Sequence, residues 1–333
     1  DSNGLNYQSR DDTFTVEYGT DGMSLAITYM NATQGWVPTI DEAVTDVPSK
    51  GNEEGIFGFG ITGSNVSMTN LVSNAGVVAT DVTGVGTARN ALAACEYGGD
   101  KGIFGFGDDG SETAVTNLVS NAGVVASDTA GVGTVRRLLG ACSYGGDKGI
   151  FGFGYDGSYQ SMTNLVSNAG VVATDVTGVG TARNALAACE YGSDTAIFAY
   201  GTTGSVSSLS NLVSNAGVVA TDVTGVGTAR QDIAACGYGY DKGIFGYGVT
   251  PGYVSVTNLV SNAGVIGTDV TGVGTARAYL TATQYGKDKG LFAYGHIGSD
   301  KSMTNLVSNA GVVATDVTGV GTARRALGGC SFN

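Results

Sequence analysis

Five cysteines are the first residues of this sequence that could do chemistry, and they recur at multiples of 47 residues, with Thr283 in the one remaining place. They are Cys95, Cys142, Cys189, Cys236 and Cys330. Thiolates bind metals and act as nucleophiles. If the cysteines lie on neighbouring packed sheets, they are about 10 Å apart, whereas a disulfide needs Cα atoms within about 7 Å. We therefore expect buried free thiols that pack as small apolar residues, and no metal site.

An aspartate and an arginine also recur, eight residues apart, with a glycine-rich bend between them. The aspartates are Asp81, Asp128, Asp175, Asp222, Asp269 and Asp316, and the arginines are Arg89, Arg136, Arg183, Arg230, Arg277 and Arg324. An ion pair across each bend would brace the fold. Six equal copies favour this structural role, because catalysis normally needs a single asymmetric constellation. A ring of six arginines that binds an anion is the alternative.

The copies differ in two places. One is a loop, found at residues 61–68, 108–115, 155–162, 202–209, 249–256 and 296–303. The other is the residue after each arginine: Asn90, Arg137, Asn184, Gln231, Ala278 and Arg325. Variation on a fixed scaffold is typical of a binding face, and drift in exposed loops is the alternative.

Several residues in these two places could contact a ligand. Tyrosines stack on sugar rings, and Asp108-Asp109-Gly110 offers oxygens to calcium, although it departs from a full calcium-loop motif. The lone histidine lies in a loop without an adjacent nucleophile, so catalysis is not indicated. The ligand-binding candidates are Asp108, Asp109, Tyr155, Asp156, Tyr159, Tyr253, His296, Asn90, Arg137 and Arg325. No catalytic residue and no cofactor is expected, calcium excepted.

The elements that position these residues repeat with the same period. Six 47-residue copies fill 52–98, 99–145, 146–192, 193–239, 240–286 and 287–333. The first copy predicts strands at 56–59, 70–73, 77–80 and 91–97. Short strands with regular turns predict a sandwich, barrel or propeller, and this period suits one four-stranded blade. We predict an all-β, six-bladed propeller, closed by pairing of 56–59 with 326–332, which would protect the open edges.

Residues 1–51 lie outside the repeat. A hairpin is predicted from 14–18 and 24–29, followed by an acidic linker at 39–50. So short a segment cannot build a core of its own. It should pack on the propeller, on missing upstream sequence or on a second chain, and the last case would give a homo-oligomer.

Composition excludes some partners. The net charge is −13, whereas nucleic-acid binding needs a basic surface. Anionic membrane surfaces are disfavoured for the same reason. No apolar run approaches the roughly 20 residues of a membrane span, so membrane insertion is not expected.

The repeat resembles the kelch-type propeller repeat. The match in one unit runs through Arg136, Leu138–Tyr144, Gly145-Gly146, Ile150–Gly154 and Asn164–Val166. The unit departs from kelch in its split glycine doublet and in lacking the blade tryptophan. Its Ile-Phe-Gly-Phe-Gly and Asn-Leu-Val-Ser-Asn blocks are similar to repeat proteins of marine phages, and Thr28–Trp36 resembles the ends of phage tail and fibre modules. These resemblances imply a propeller architecture and a virion or extracellular location.

Three functions follow as hypotheses. The first is a non-enzymatic binding or adhesion module that recognises a glycan or a surface receptor through its six loops. The second is a structural spacer or decoration protein of a viral particle without a soluble ligand. The third, a propeller hydrolase or lyase, needs one copy with an acid, a base and an orienting group, and no copy is distinguished in that way.

Overall fold

The computed structural model describes residues 27–31, 35–38 and 52–333, and their regular elements are all β-strands. The chain divides into two units, Asp1–Ser49 and Lys50–Asn333. The part of the chain that is described holds no helix able to cross a membrane.

In the first unit, β1 (Ile27–Asn31) pairs with β2 (Gly35–Pro38) in antiparallel fashion. The pairing places Tyr29 opposite Trp36, with their ring centroids 5.5 Å apart in an edge-to-face contact. The hairpin predicted from 14–18 and 24–29 falls outside the described residues except for 27–29, which pair with β2.

The second unit contains eighteen strands in the described residues. They are β3 (Glu54–Gly58), β4 (Thr69–Val72), β5 (Ala93–Tyr97), β6 (Lys101–Asp108), β7 (Glu112–Val119), β8 (Gly140–Tyr144), β9 (Lys148–Tyr155), β10 (Tyr159–Val166), β11 (Ala187–Tyr191), β12 (Thr195–Ala199), β13 (Ser210–Val213), β14 (Ala234–Tyr238), β15 (Lys242–Gly246), β16 (Thr257–Val260), β17 (Thr281–Tyr285), β18 (Lys289–Ala293), β19 (Thr304–Val307) and β20 (Gly328–Phe332).

These strands form six antiparallel three-stranded sheets. Their orders are β20-β3-β4, β5-β6-β7, β8-β9-β10, β11-β12-β13, β14-β15-β16 and β17-β18-β19. Each sheet joins the last strand of one repeat to the first two strands of the next. The sheet that contains both ends of the repeat array pairs Gly328 with Gly58 and Phe332 with Glu54, so the predicted pairing of these segments is confirmed.

The third predicted strand of each repeat, 77–80 in the first copy, is not a regular strand. In the first repeat, the segment Val77–Val82 joins β4 only through isolated bridges, Val72 to Val78 and Thr69 to Val82. Between these two bridges the segment contains one residue more than β4 does, which is the geometry of a β-bulge. The Asn70 side chain donates to the Ala79 carbonyl inside the bulge at 2.9 Å, so a side chain replaces part of the ladder.

Apolar side chains fill every gap between consecutive sheets. One buried cluster, for example, combines Cys95 and Ile103 of the second sheet with Phe151 and Val166 of the third. Five other clusters fill the remaining gaps, including the gap between the sixth sheet and the first. The first strands of the sheets contact one another in the closed order β5, β8, β11, β14, β17, β20 and back to β5. The six sheets therefore surround a common centre.

A ring of backbone hydrogen bonds lies at the start of these inner strands. The amide of Ala91 donates to the Ala326 carbonyl at 2.8 Å, and the amide of Leu138 donates to the Ala91 carbonyl at the same distance. The ring continues through the equivalent residues Ala185, Asp232 and Tyr279, with bonds of 2.8 to 3.0 Å. All six residues have φ between 52° and 55°, so the left-handed conformation is a shared property of the ring.

The cysteines are free and buried, as predicted. Burial raises the pKa of the Cys236 thiol to about 12, which keeps it protonated and unreactive. A Cβ atom added at Gly102 would lie 2.5 Å from Cys330 Sγ. The glycine at this place in the strand therefore leaves room for the sulfur of the preceding sheet.

Gly102→Ala should lower the free energy of unfolding by about 1–3 kcal/mol, because the added methyl group overpacks the gap beside Cys330. Removing the sulfur with Cys330→Ala should reduce the cost of the glycine substitution in the double variant. Denaturant unfolding of the four proteins measures this coupling. Gly252→Ala is the control, since nothing lies near its added Cβ atom. Strictly additive costs would contradict the proposed fit.

Candidate ligand-binding face

A buried arginine before each variable residue joins two consecutive sheets. The Arg136 side chain has no exposed surface. Its Nε donates to the Phe153 carbonyl at 2.8 Å, and its two terminal nitrogens donate to the Thr134 carbonyl at 3.0 Å and to Asn164 Oδ1 at 2.5 Å. The guanidinium carbon also lies 4.4 Å from the centroid of the Phe106 ring. Three acceptors and a ring face compensate for the loss of water around the charge.

The aspartate partner of each arginine belongs to the following repeat. Arg136 lies 3.9 Å from Asp175, and Arg324 lies 3.8 Å from Asp81 across the array's ends. The predicted ion pair within one repeat, such as Asp81 with Arg89, is therefore wrong. The bend turns the arginine toward the next sheet, which brings it to an aspartate 39 residues further along the chain.

The same aspartate also accepts hydrogen bonds from the glycine-rich bend of the preceding repeat. Asp175 accepts from the Thr134 amide at 3.0 Å, from the Thr134 hydroxyl at 2.7 Å and from Asn164 Nδ2 at 2.9 Å. Gly133 precedes the threonine with φ 84°, and a Cβ atom there would collide with Asp175 and Asn164. Partial burial raises the pKa of Asp175, but the bonds from Thr134 and Asn164 outweigh it and the net pKa is lowered.

The carbonyl that meets the arginine comes from an unusual backbone. Phe153 has φ 63°, and its five equivalents have φ between 62° and 67°. Bulky residues rarely adopt this region, at a cost of about 1–3 kcal/mol each. In each repeat the residue with this strained conformation is the one whose carbonyl accepts from the buried arginine. The strain is therefore tied to this hydrogen bond.

The alternative role of the six arginines, an anion-binding ring, is wrong. All six are fully buried, and an anion at a channel mouth could not reach them. Their role in the described structure is to join sheets.

The two variable places of the repeat meet in space. The residue after each arginine bridges to the first residue of the next repeat's loop. The pairs are Asn90 with Asp108, Arg137 with Tyr155, Asn184 with Thr202, Gln231 with Val249, Ala278 with His296, and Arg325 with Ile61. Because each arginine is anchored between sheets, the residue after it always reaches the neighbouring loop. The differences among the copies therefore lie on one face of the unit.

One polar cluster on this face spans the second and third repeats. Arg137 donates to Asp108 at 2.6 Å and lies 3.4 Å from Glu112. Its guanidinium carbon is 5.8 Å from the Tyr155 ring, and that ring contacts Tyr159 with centroids 5.8 Å apart. The structure thus brings together predicted candidates that lie up to 51 residues apart in the chain.

The other candidates around this cluster make local contacts. Asn90 donates to Asn65 at 2.7 Å. Asp156 accepts from Gln160 at 2.8 Å, and Asp109 is exposed at a loop tip. Asp108 also accepts from the Gly110 amide at 2.9 Å, so its oxygens are occupied by Arg137 and the loop backbone. Among the described residues, no three His, Cys, Asp or Glu side chains converge as metal ligands would.

A second polar cluster joins the fifth and sixth repeats. Arg325 donates to Asp300 at 2.7 Å, and the same carboxylate lies 2.8 Å from His296 Nδ1. Tyr253 contacts His296 with ring centroids 6.4 Å apart, and it is 39% exposed. An exposed aromatic ring beside a polar triad is suited to a ligand that has both apolar and hydroxylated surfaces.

Two further residues of this region were not predicted. Asp232 and Tyr279 occupy adjacent positions of the backbone ring, where three other repeats have alanine. Gln231 donates to Asp232 at 3.0 Å, and the Tyr279 hydroxyl is a second hydrogen-bond partner of the carboxyl. Burial raises the pKa of Asp232 to about 6, partly offset by Gln231 and Tyr279. The departure from alanine was visible in the sequence, but the position was read as part of a strand.

The inner strands line a small central cavity. Its volume is about 50 Å³ at the level of Cys95 and Glu96 and their equivalents. The hydroxyls of Ser331 and Ser143 donate to Glu96 and Glu190, respectively. This space admits only a water-sized molecule, so a larger ligand cannot enter at this level.

A scan against protein-family models and a search of the curated proteins give no match to this sequence. The function is therefore inferred from the geometry of the face.

The adjacent residues Arg136 and Arg137 allow a matched test of the buried arginine. Arg136→Lys should lower the free energy of unfolding by about 2–4 kcal/mol, because a lysine cannot serve three separated acceptors. Arg137→Lys should cost less than about 1 kcal/mol, since the Arg137 side chain is partly exposed and its ion pairs are screened by water. Denaturant unfolding measures both. Equal effects of the two substitutions would argue against the anchoring role.

Asp232 should make stability depend on pH. Its folded pKa of about 6 lies above the ordinary value of 3.8, so the folded state binds more protons between these values and loses stability as pH rises through this window. The free energy of unfolding of Asp232→Ala, taken relative to that of the parent, should therefore be roughly 1–3 kcal/mol higher at pH 8 than at pH 4. Urea unfolding at both pH values gives the change, with Leu138→Ala as the non-ionisable control at the same ring position. A difference that does not vary with pH would contradict this assignment.

Proposed function

We propose that residues 52–333 form a six-bladed β-propeller whose variable loop face binds a ligand without catalysis. The six sheets serve as blades, each completed by the bulged edge segment. Support comes from the cyclic contacts of the inner strands, the six core clusters and the pairing of β20 with β3. A kelch-like blade that lacks the usual tryptophan fits this arrangement.

One observation carries the proposal of binding. Residues shared by all copies build the joints between sheets, as Arg136 and Asp175 do. Residues that differ meet in pairs on a single face, as Arg137 and Tyr155 do. A face assembled from six different loops on an invariant frame is typical of recognition surfaces.

The side chains on the face favour a glycan. Tyr155, Tyr159 and Tyr253 offer ring faces, while Asn90, Gln160 and Asp300 offer donors and acceptors beside them. Sugars present apolar ring faces edged by hydroxyl groups, so this mixture is complementary to them. We place the protein on a cell or virion surface, where such ligands occur. An oligomer formed through residues 1–51 stays a prediction.

A structural part of a viral particle is the second candidate. A valine at the rim of every sheet is about two-thirds exposed: Val77, Val124, Val171, Val218, Val265 and Val312. Six equivalent apolar contacts suit packing against neighbours in an ordered assembly. This candidate predicts no affinity for soluble sugars.

Replacing both Tyr155 and Tyr159 with alanine should weaken glycan binding at least about tenfold, because two stacking surfaces are lost. A glycan array identifies the ligand, and calorimetry measures its affinity for the parent and the variant. The control is Thr202→Ala with Val206→Ala, at the same loop positions of the fourth repeat, which should leave binding unchanged. Absence of binding to any glycan would favour the structural candidate.

A further inference from the structure

We propose that the loop-side end of the central channel holds an asymmetric subsite for a neutral saccharide, centred on Asp232 and Tyr279. This inference rests on the proposed glycan-binding function and assigns the ligand class and its position. Neither residue belongs to the variable loops, and both lie on the ring of backbone hydrogen bonds.

The ring has an apolar part and a polar part. Its four apolar residues are Ala326, Ala91, Leu138 and Ala185, and its two polar residues are Asp232 and Tyr279. The ring residues immediately precede the strands that line a cavity of about 100 Å³. Thus, next to one opening, the same ring position carries apolar side chains in some repeats and hydrogen-bonding side chains in others, and a sugar ring has both kinds of surface.

The polar part of the ring, Asp232 and Tyr279, is connected to the second polar cluster. Asp232 is bonded to Gln231 on one side and to Tyr279 on the other. Tyr279 in turn lies close enough to Tyr253 and Arg325 to interact electrostatically with both. A connected series of donors and acceptors therefore runs from the channel end to the exposed Tyr253 ring, across the fourth, fifth and sixth repeats. No equivalent series joins the ring to the loops in the first three repeats, whose described ring residues are Ala91, Leu138 and Ala185.

The charge of the face selects neutral ligands. The variable loops, the residues after the arginines and the ring residues carry six carboxylates and three permanent cations. They are Asp108, Asp109, Glu112, Asp156, Asp232 and Asp300, against Arg137, Lys301 and Arg325. Both arginines are already paired with carboxylates, and Lys301 donates to Ser299. A sialylated or sulfated glycan would meet net negative charge without a free guanidinium to hold it.

The chain itself supplies substitutions that fit the ring. Alanine occupies this position in the first, third and sixth repeats with φ of 52° or 53°. Asp232→Ala and Tyr279→Ala therefore place a residue that the ring already accommodates. Val171→Ala, at an exposed sheet rim outside the ring, is the control, and Asp232→Asn with Tyr279→Phe provides versions that preserve shape.

The experiment uses the full chain on an array of neutral, sialylated and sulfated glycans, followed by calorimetry with the best ligand. We expect a neutral glycan to bind, and each alanine variant to lose at least about tenfold in affinity, the value of roughly one good hydrogen bond. Val171→Ala should change affinity less than about threefold. Thermal unfolding of every variant shows that the fold is retained.

The outcomes separate the two proposals. A parent protein that binds no glycan overturns the proposed function and the subsite with it. A second outcome is that the parent, Asp232→Ala and Tyr279→Ala all bind the glycan equally well, whereas the Tyr155 and Tyr159 variant does not bind. This outcome overturns the subsite alone. A preference for sialylated or sulfated glycans overturns the neutral ligand class. If an alanine variant unfolds, the Asp232→Asn and Tyr279→Phe variants decide in its place.

Discussion

The buried guanidinium between consecutive sheets is the interaction on which the rest of this structure depends. A charge without water needs acceptors on every side. Arg136 takes two from the following sheet and one from its own bend, and an aromatic ring of the preceding sheet covers the guanidinium. Those acceptors place strict demands on the chain. An aromatic residue must adopt a positive φ, a glycine must make room, and an asparagine and a threonine must lie within reach. The constant block of each repeat is largely the set of residues that meet these demands.

This constraint also explains why constant and variable residues are so clearly separated. The arginine is held rigidly, and its neighbour in sequence is carried to the adjacent loop in every copy. A substitution at the neighbour, such as Asn90 or Arg137, changes what the face presents and leaves the joint intact. A scaffold of this kind lets the six loops diverge independently. The face can therefore carry different side chains in each repeat while the backbone keeps its six-fold repetition.

Much of the architecture could be predicted from periodicity. The all-β class, the strands near 56–59 and 70–73 and the pairing of 56–59 with 326–332 follow from the repeat and its alternating apolar residues. The partner of Asp81 could not be predicted in the same way, because Arg324 is 243 residues away in sequence, while Arg89 satisfies the same spacing rule locally. Identical copies make a contact within a repeat and a contact between repeats equally consistent with the pattern.

The candidate face shows the same limit. Tyr155, Tyr159, Arg137 and His296 could be selected because they differ between copies. Their pairing depends on how sheets succeed one another, which no single copy encodes. Asp232 and Tyr279 could not be singled out in this way, because the repeat pattern places their position at the start of a predicted strand and alanine fills it in three of the six repeats. Only the left-handed backbone and the ring of bonds reveal that the position borders an opening.

The ring of six amide-to-carbonyl bonds has one more consequence. Helices and open sheets leave unmatched donors and acceptors at their ends. Here every amide of the ring has its acceptor in the equivalent residue of the preceding repeat, and the first donates to the sixth. A closed series of this kind has no end from which to fray, so the opening is bordered by the same hydrogen bonds whatever side chains the loops carry.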